Sequence, residues 1–189
     1  MSVIKTLCKT IAGKLVGEYS PYFIYRMSGA QPVAVLSEQS GLQVRPISDE
    51  QLAAADTVLQ DQAGYLGSES HAFGCFLDGK LVGVCFYWFG ERYERRGFWP
   101  LKPGEAKLVQ IIVSPNARGR GAASFLIQAS AAAMGERGFS TLYARIWHSN
   151  APSLHAFENA GWLRTAFVLE INPLRRKKPW RIQRMLDKT

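Results

Sequence analysis

The chain has 189 residues, 47% hydrophobic and 20% charged, which is ample material for one ordinary core and excludes disorder. Its 23 Lys and Arg against 15 Asp and Glu give a net charge of +8, yet residues 41–169 hold twelve bases and eleven acids, and the last twenty hold seven and two. The excess sits in one cluster, Arg175-Arg176-Lys177-Lys178 with Arg181 and Arg184, and a nearly neutral body disfavours an extended nucleic-acid footprint.

No uncharged apolar run approaches the roughly 18 residues of a spanning helix. Three cysteines, Cys8, Cys75 and Cys85, match no metal spacing and are odd in number. The expectation is a reducing, cytoplasmic setting with no metal, and with Cys75 and Cys85 as core residues.

Residues 1–17 set Ile4, Leu7, Ile11 and Leu15 on one helical stripe with Lys5, Lys9 and Lys14 largely off it. Such a helix packs on its own domain, on a second copy or on a membrane surface, so a peripheral membrane contact and a homodimer are both expectations. Residues 1–40 are read as an N-terminal amphipathic extension and residues 41–189 as the main domain. Tyr19–Met27 is aromatic-rich and reads equally as strand or helix.

From Leu42 the pattern is regular. Leu42–Arg45 alternates as a strand, Ser48 with Gln51 forms a capping box, and Leu52, Ala55, Val58 and Leu59 follow at helical spacing. Ala72–Leu77 and Leu81–Phe89 are strands joined at Asp78-Gly79, a hairpin signal. A polar connection over 90–105 carries Arg92, Arg95 and Arg96 and leads to an apolar strand, Leu108–Val113. A helix follows over about 122–137, stopped by Gly138, then a strand over Leu142–Trp147. A short helix, Pro152–Asn159, ends at Gly161, and Trp162–Ile171 and Trp180–Met185 are the last strands. Strands and helices intermix, so the fold class is mixed α/β.

The chemistry concentrates at Val113-Ser-Pro-Asn-Ala-Arg118-Gly-Arg-Gly121-Ala-Ala123, between a buried strand and a helix start. Gly119 and Gly121 allow a tight turn, and the unpaired N–H groups of a helix N-terminus form a cradle for a diphosphate. Arg118 and Arg120 add charge beside it.

The Arg118-x-x-Gly121-x-Ala123 pattern, after an apolar strand ending in Val113-x-Pro115, resembles the coenzyme A signature of the GNAT acyltransferase superfamily. A second stretch, Asn150-Ala-Pro-Ser153-Leu-His-Ala-Phe157 running on to Gly161-Trp162, resembles that family's asparagine, short helix, aromatic and Gly-aromatic ending. The resemblance covers about Leu42 to Met185. It implies a central, mostly antiparallel mixed sheet flanked by helices, with a V-shaped splay between the two central strands. It also implies acetyl-CoA as co-substrate and transfer of its acyl group to an amine by direct attack in a ternary complex. Carried over, the backbone of Ile111, Ile112 and Val113 pairs with the pantetheine arm and supplies an oxyanion donor. Gly119 to Ala123, with Ala122 between, hold the pyrophosphate with Arg118 and Arg120, while Asn150, Ser153 and Phe157 border the pantetheine.

Two positions depart from the family pattern. Phe157 stands where many members place a tyrosine that protonates the leaving thiolate. Lys107 stands where many have a glutamate base, with Glu105 before it and Gln110 after it. Glu105 and His148 are the candidate bases, and His155 reads as a surface or packing residue. Arg95, Arg96, Arg175 and Arg176 lie on two connections expected to approach the acceptor, which favours an amine that also bears an anionic group. Two other readings stand beside this one: a non-catalytic acyl-CoA-binding module, and a membrane-surface or nucleic-acid binder using the basic C-terminal segment.

Overall fold

A computed structural model describes residues 18–28, 41–96, 99–172 and 179–186. The amphipathic stripe, Cys8, and the basic run with Arg175 and Arg176 lie outside the described residues. Among the described residues, no helix is long and apolar enough to cross a membrane.

One eight-stranded sheet organises the chain. It comprises β1 (Glu18–Ser28), β2 (Leu42–Pro46), β3 (Ser70–Leu77), β4 (Lys80–Trp88), β5 (Glu105–Val113), β6 (Thr141–Trp147), β7 (Leu163–Asn172) and β8 (Trp180–Met185). The strand order is β2-β3-β4-β5-β6-β1-β7-β8. Only β5 and β6 run parallel; every other neighbouring pair is antiparallel.

The open reading of Tyr19–Met27 resolves as strand. β1 pairs with β6 on one side and β7 on the other, so residues 18–28 belong to the same sheet as residues 42–185. Both faces of β1 are covered: Tyr25 and Met27 join the core beneath the long helix, and Tyr22 and Ile24 pack with Ala166 and Val168 on the opposite face. A strand covered on both sides has no reason to alternate, which is why its pattern was ambiguous.

The Ser48 capping box is present, with Ser48 Oγ accepting from the Gln51 N–H and the Ser48 N–H donating to Gln51 Oε1. The expected single helix after it is instead two short ones, α1 (Asp49–Ala53) and α2 (Thr57–Gln60), because Asp56 adopts an extended conformation between them. The break lets both Leu52 and Leu59 bury against Phe76, Leu81, Val84 and Phe86 of the sheet. The β3–β4 hairpin turns on Asp78 (φ 50°) and Gly79 (φ 77°), both left-handed, as the Asp-Gly pair demands. Cys75 and Cys85 are fully buried, and burial pushes their thiols up to about 11 and about 12.

After β4 comes α3 (Gly90–Glu94), and a 3-10 turn, Pro115–Ala117, follows β5. The long helix α4 (Ala122–Glu136) covers the other face of the sheet, burying Phe125, Leu126, Ile127, Ala131 and Met134. Ser130 of α4 is buried and bonds the Tyr87 hydroxyl at 3.0 Å. The short helix α5 (Ala151–Asn159) packs beside it, capped by Asn150, whose Oδ1 accepts from the Ser153 N–H. α5 is tied to β1 through Tyr25, whose hydroxyl donates to Glu158 Oε1 (2.8 Å) and accepts from Arg164 Nε (3.1 Å). Burial and the Glu158 bond push the Tyr25 phenol up to about 12, so it keeps its proton.

Candidate active site

The site begins with an irregularity in β5. Opposite β4 the register steps from Phe86–Gln110 to Tyr87–Leu108, so Val109 is an extra residue, a β-bulge. Opposite β6 the parallel pairing runs from Glu105–Thr141 to Leu108–Ala144 and stops at the same point. Beyond it β5 continues to Val113 and β6 to Trp147 without pairing to each other. This is the V-shaped splay that the resemblance implies. The Ile111 N–H, just past the parting, donates to Gln110 Oε1 at 3.2 Å, and Gln110 Nε2 donates to Gln62 Oε1 at 2.7 Å.

A cleft of about 540 Å³ opens on one side of the parting. One wall is Ile111, Ile112 and Val113; the opposite wall is Asn150, Ser153 and Phe157 of α5 and its cap. Its end is the turn Gly119, Gly121, Ala122 and Ala123. Gly119 (φ 75°) and Gly121 (φ 76°) are left-handed, and open space lies where their Cβ atoms would point. The glycines therefore serve the backbone path rather than relieve crowding. Gly121 is the N-cap of α4 and offers no side-chain acceptor, so the helix presents its first N–H groups and positive dipole end at the cleft. Arg118 lines the cleft and donates from Nε to the Val113 carbonyl at 3.3 Å. Arg120 is exposed and outside the lining. A volume of this size, a backbone anion cradle and an unpaired strand edge suit a coenzyme with a diphosphate and an amide-bearing arm.

Phe157 is buried against Trp162 (ring centroids 5.1 Å apart) and Tyr25 (5.9 Å), with no proton to give. His155 is exposed at the edge of the larger cleft.

A second cleft, about 280 Å³, lies across the parting and shares Ile111, Asn150, Ser153 and Phe157 with the first. Its own lining is polar and basic: Arg96 from the connection after α3, Lys107 and Gln110 from β5, and Arg145 from β6. Lys107 is 4% exposed, its Nζ 4.7 Å from the Trp99 ring centroid and 5.5 Å from that of Tyr93. Burial, and then the positive charges of Arg145, Arg96 and Arg181, pull the Lys107 ammonium down to about 6, with Glu170 opposing. The amine is therefore uncharged near neutrality.

Neither candidate base from the sequence reaches this cleft. The Glu105 carboxylate is occupied by the Lys102 N–H (2.8 Å) and the Tyr143 hydroxyl (3.3 Å); it shares the face of Lys107 but stands at the start of β5, where β5 and β6 are still paired, and lines neither cleft. His148 is exposed at the end of β6, its N–H donating to the Pro21 carbonyl, and lines neither cleft. Arg95 is exposed and outside the lining, whereas Arg96 is within it. Arg145 was missed, although Tyr143, Arg145 and Trp147 alternate with the buried Leu142, Ala144 and Ile146, a period-2 signal that marks them as one face.

A sheet parted beside a glycine turn at a helix N-terminus, with two clefts joined at the parting, is the architecture of the acyltransferase class. The chain belongs to the acetyltransferase (GNAT) family, whose model matches residues 38–162. No curated protein matches the sequence. Among solved structures it is similar to a GCN5-related N-acetyltransferase from Sphaerobacter thermophilus (15% identity, TM-score 0.60, covering 91% of this chain and 57% of that one). It is also similar to a GNAT-family acetyltransferase from Novosphingobium aromaticivorans (18% identity, TM-score 0.54, covering 82% and 64%). A Drosophila protein matches at 16% identity and TM-score 0.56, covering 93% and 58%. These likenesses establish the fold. The chain spans less than two thirds of the length of each.

Proposed function

We propose that the chain transfers an acetyl group from acetyl-CoA to an amine by direct attack in a ternary complex, in a cytoplasmic setting. The donor lies in the larger cleft and the acceptor in the smaller. The observation that carries this reading is the parting of β5 from β6 at Leu108–Ala144, where the two clefts meet beside an unpaired strand edge and a glycine turn.

Acetyl-CoA supplies the activated thioester carbonyl. The Ile111–Val113 backbone binds the pantetheine arm as an added strand, and an N–H there, that of Ile111 foremost, polarises the carbonyl once the Gln110 amide gives way. The N–H groups of Gly119 to Ala123 and the α4 dipole take the diphosphate, with Arg118 alongside. Phe157 shapes the junction. A thiol with a pKa near the ~8.5 of cysteine leaves as thiolate without an acid at that position. Lys107, uncharged near neutrality at the wall of the acceptor cleft, takes the proton that the amine must lose.

The test is calorimetric binding of acetyl-CoA, followed by a thiol-release screen across amines. Tight coenzyme binding with no release for any amine would favour the non-catalytic binding module.

A further inference from the structure

We propose that the second cleft is an anion site, so that the acceptor is an amine that also carries a carboxylate or a phosphate, held by Arg96 and Arg145 above Lys107. This rests on the acetyl-transfer reading and names its substrate class.

The charge balance of the cleft is the first support. Two cations, Arg96 and Arg145, line it beside the neutral Lys107 amine, and among the described residues no Asp or Glu does. Glu105, bonded by the Lys102 N–H and the Tyr143 hydroxyl, stays outside the lining, and Glu91 and Glu94 are exposed on α3. The groups acting on Lys107 from the surrounding elements are Arg96 from the connection, Arg145 from β6, Arg181 from β8 and Glu170 from β7, with the Tyr93 and Trp99 rings beside it. The lone carboxylate in that set, Glu170, is already engaged by Arg181 Nε at 2.7 Å. Positive charge gathered in a concave, low-dielectric site draws an anion.

The second support is orientation. Arg96 lies over the Trp88 ring at 4.5 Å and Arg145 over the Tyr22 ring at 4.8 Å. Contact with a ring restricts a guanidinium and so reduces the entropy lost when its fork meets a carboxylate or phosphate. The two arginines come from different segments, one from the connection after α3 and one from β6. An anionic group held by them in the same cleft as the Lys107 amine would raise its affinity for a proton and strengthen it as a base.

The experiment separates this site from the glycine turn, which also binds anions. Sulfate and acetate, whose charges are constant between pH 6 and 8, are titrated into the chain saturated with coenzyme A and, separately, into Gly121→Asp. Binding is read by calorimetry, and the Lys107 titration by NMR of 13C-labelled lysine. The expected result is that at least one anion binds and shifts the Lys107 midpoint upward by about half a unit or more. Arg96→Gln, at an exposed side chain that leaves the fold undisturbed, and Arg145→Gln each weaken that binding by about tenfold. Sulfate binding alone assigns a phosphate-bearing acceptor, and acetate binding alone a carboxylate-bearing one.

If neither anion moves Lys107, or if the arginine variants bind as the parent does, the inference is overturned. Transfer to ethanolamine as efficient as transfer to phosphoethanolamine, and to glycinamide as efficient as to glycine, overturns it as well. Loss of coenzyme A binding in the parent instead refutes the acetyl-transfer reading, and the Gly121→Asp titration then still reports on the anion site.

Discussion

The two clefts on either side of the β5–β6 parting are built in different ways. The larger one is made chiefly of backbone: a strand edge, a left-handed glycine turn and a helix N-terminus, drawn largely from one continuous stretch between Ile111 and Ala123. The smaller one is made of side chains from remote segments, Tyr65, Arg96, Lys107 and Arg145. Backbone recognition suits an invariant ligand part such as a diphosphate, since N–H geometry changes little with sequence. Side-chain recognition suits a part that differs between relatives. In the proposed reading, the larger cleft takes the coenzyme through its backbone and the smaller one selects the acceptor through its side chains.

The sharpest way to break this division is Gly121→Asp. A Cβ there meets nothing, and the left-handed φ costs an Asp about 1 kcal/mol, so the variant folds. Its carboxylate faces the proposed diphosphate and should weaken acetyl-CoA by about a hundredfold or more in calorimetry. Gly121→Ala carries similar backbone strain and should keep most of the affinity, showing that charge rather than bulk is responsible.

Lys107→Met tests the other side. Acetyl-CoA affinity should hold, while kcat with an accepted amine falls by about a hundredfold or more and the acidic limb of the parent's kcat/KM profile, near pH 6, disappears. Stability should move the opposite way. In the fold Lys107 gives up its proton at about 6, whereas the unfolded chain keeps it to about 10.4. Between those values the unfolded state binds more protons, so the parent gains stability as pH rises through that window. Removing the amine should flatten that rise and stabilise the protein at pH 7 by on the order of 2 kcal/mol in denaturant titrations.

Two smaller effects sharpen the comparison at the junction. Phe157→Tyr should change kcat by less than about tenfold, because the thiolate leaves without an acid; a larger gain would show that proton donation limits the parent. His148→Ala should alter kcat and the pH profile by less than about twofold, since the ring is exposed and lines neither cleft.

The same division decides what was legible in the sequence. The strand–turn–helix corner is local, and Gly119, Gly121 and the capping residues announce it through backbone requirements that few residues meet. The β3–β4 hairpin was equally plain from Asp78-Gly79. The acceptor side was not, because its residues meet only through sheet register: Lys107 lies opposite Tyr143, two residues before Arg145 on the same face. Glu105 and His148 are attractive as bases by residue type, yet Glu105 is bonded at the paired start of β5 and His148 lies past the end of β6. The fourfold helical spacing after Ser48 was real as a pattern of buried positions, and the break at Asp56 preserved it while ending the helix. β1 was opaque for the reason already given by its two covered faces.

The position of β1 also sets the order in which the protein can be assembled. It is the earliest strand of the described chain to be synthesised, yet its partners β6 and β7 are among the last. While the ribosome is still making the middle of the chain, Tyr22, Phe23 and Tyr25 have no native neighbours and two unsatisfied edges. β1 gains both neighbours only when the nascent chain has passed Asn172, so its closure is a long-range insertion of an aromatic strand between two others, slow by topology and exposed to mispairing while it waits.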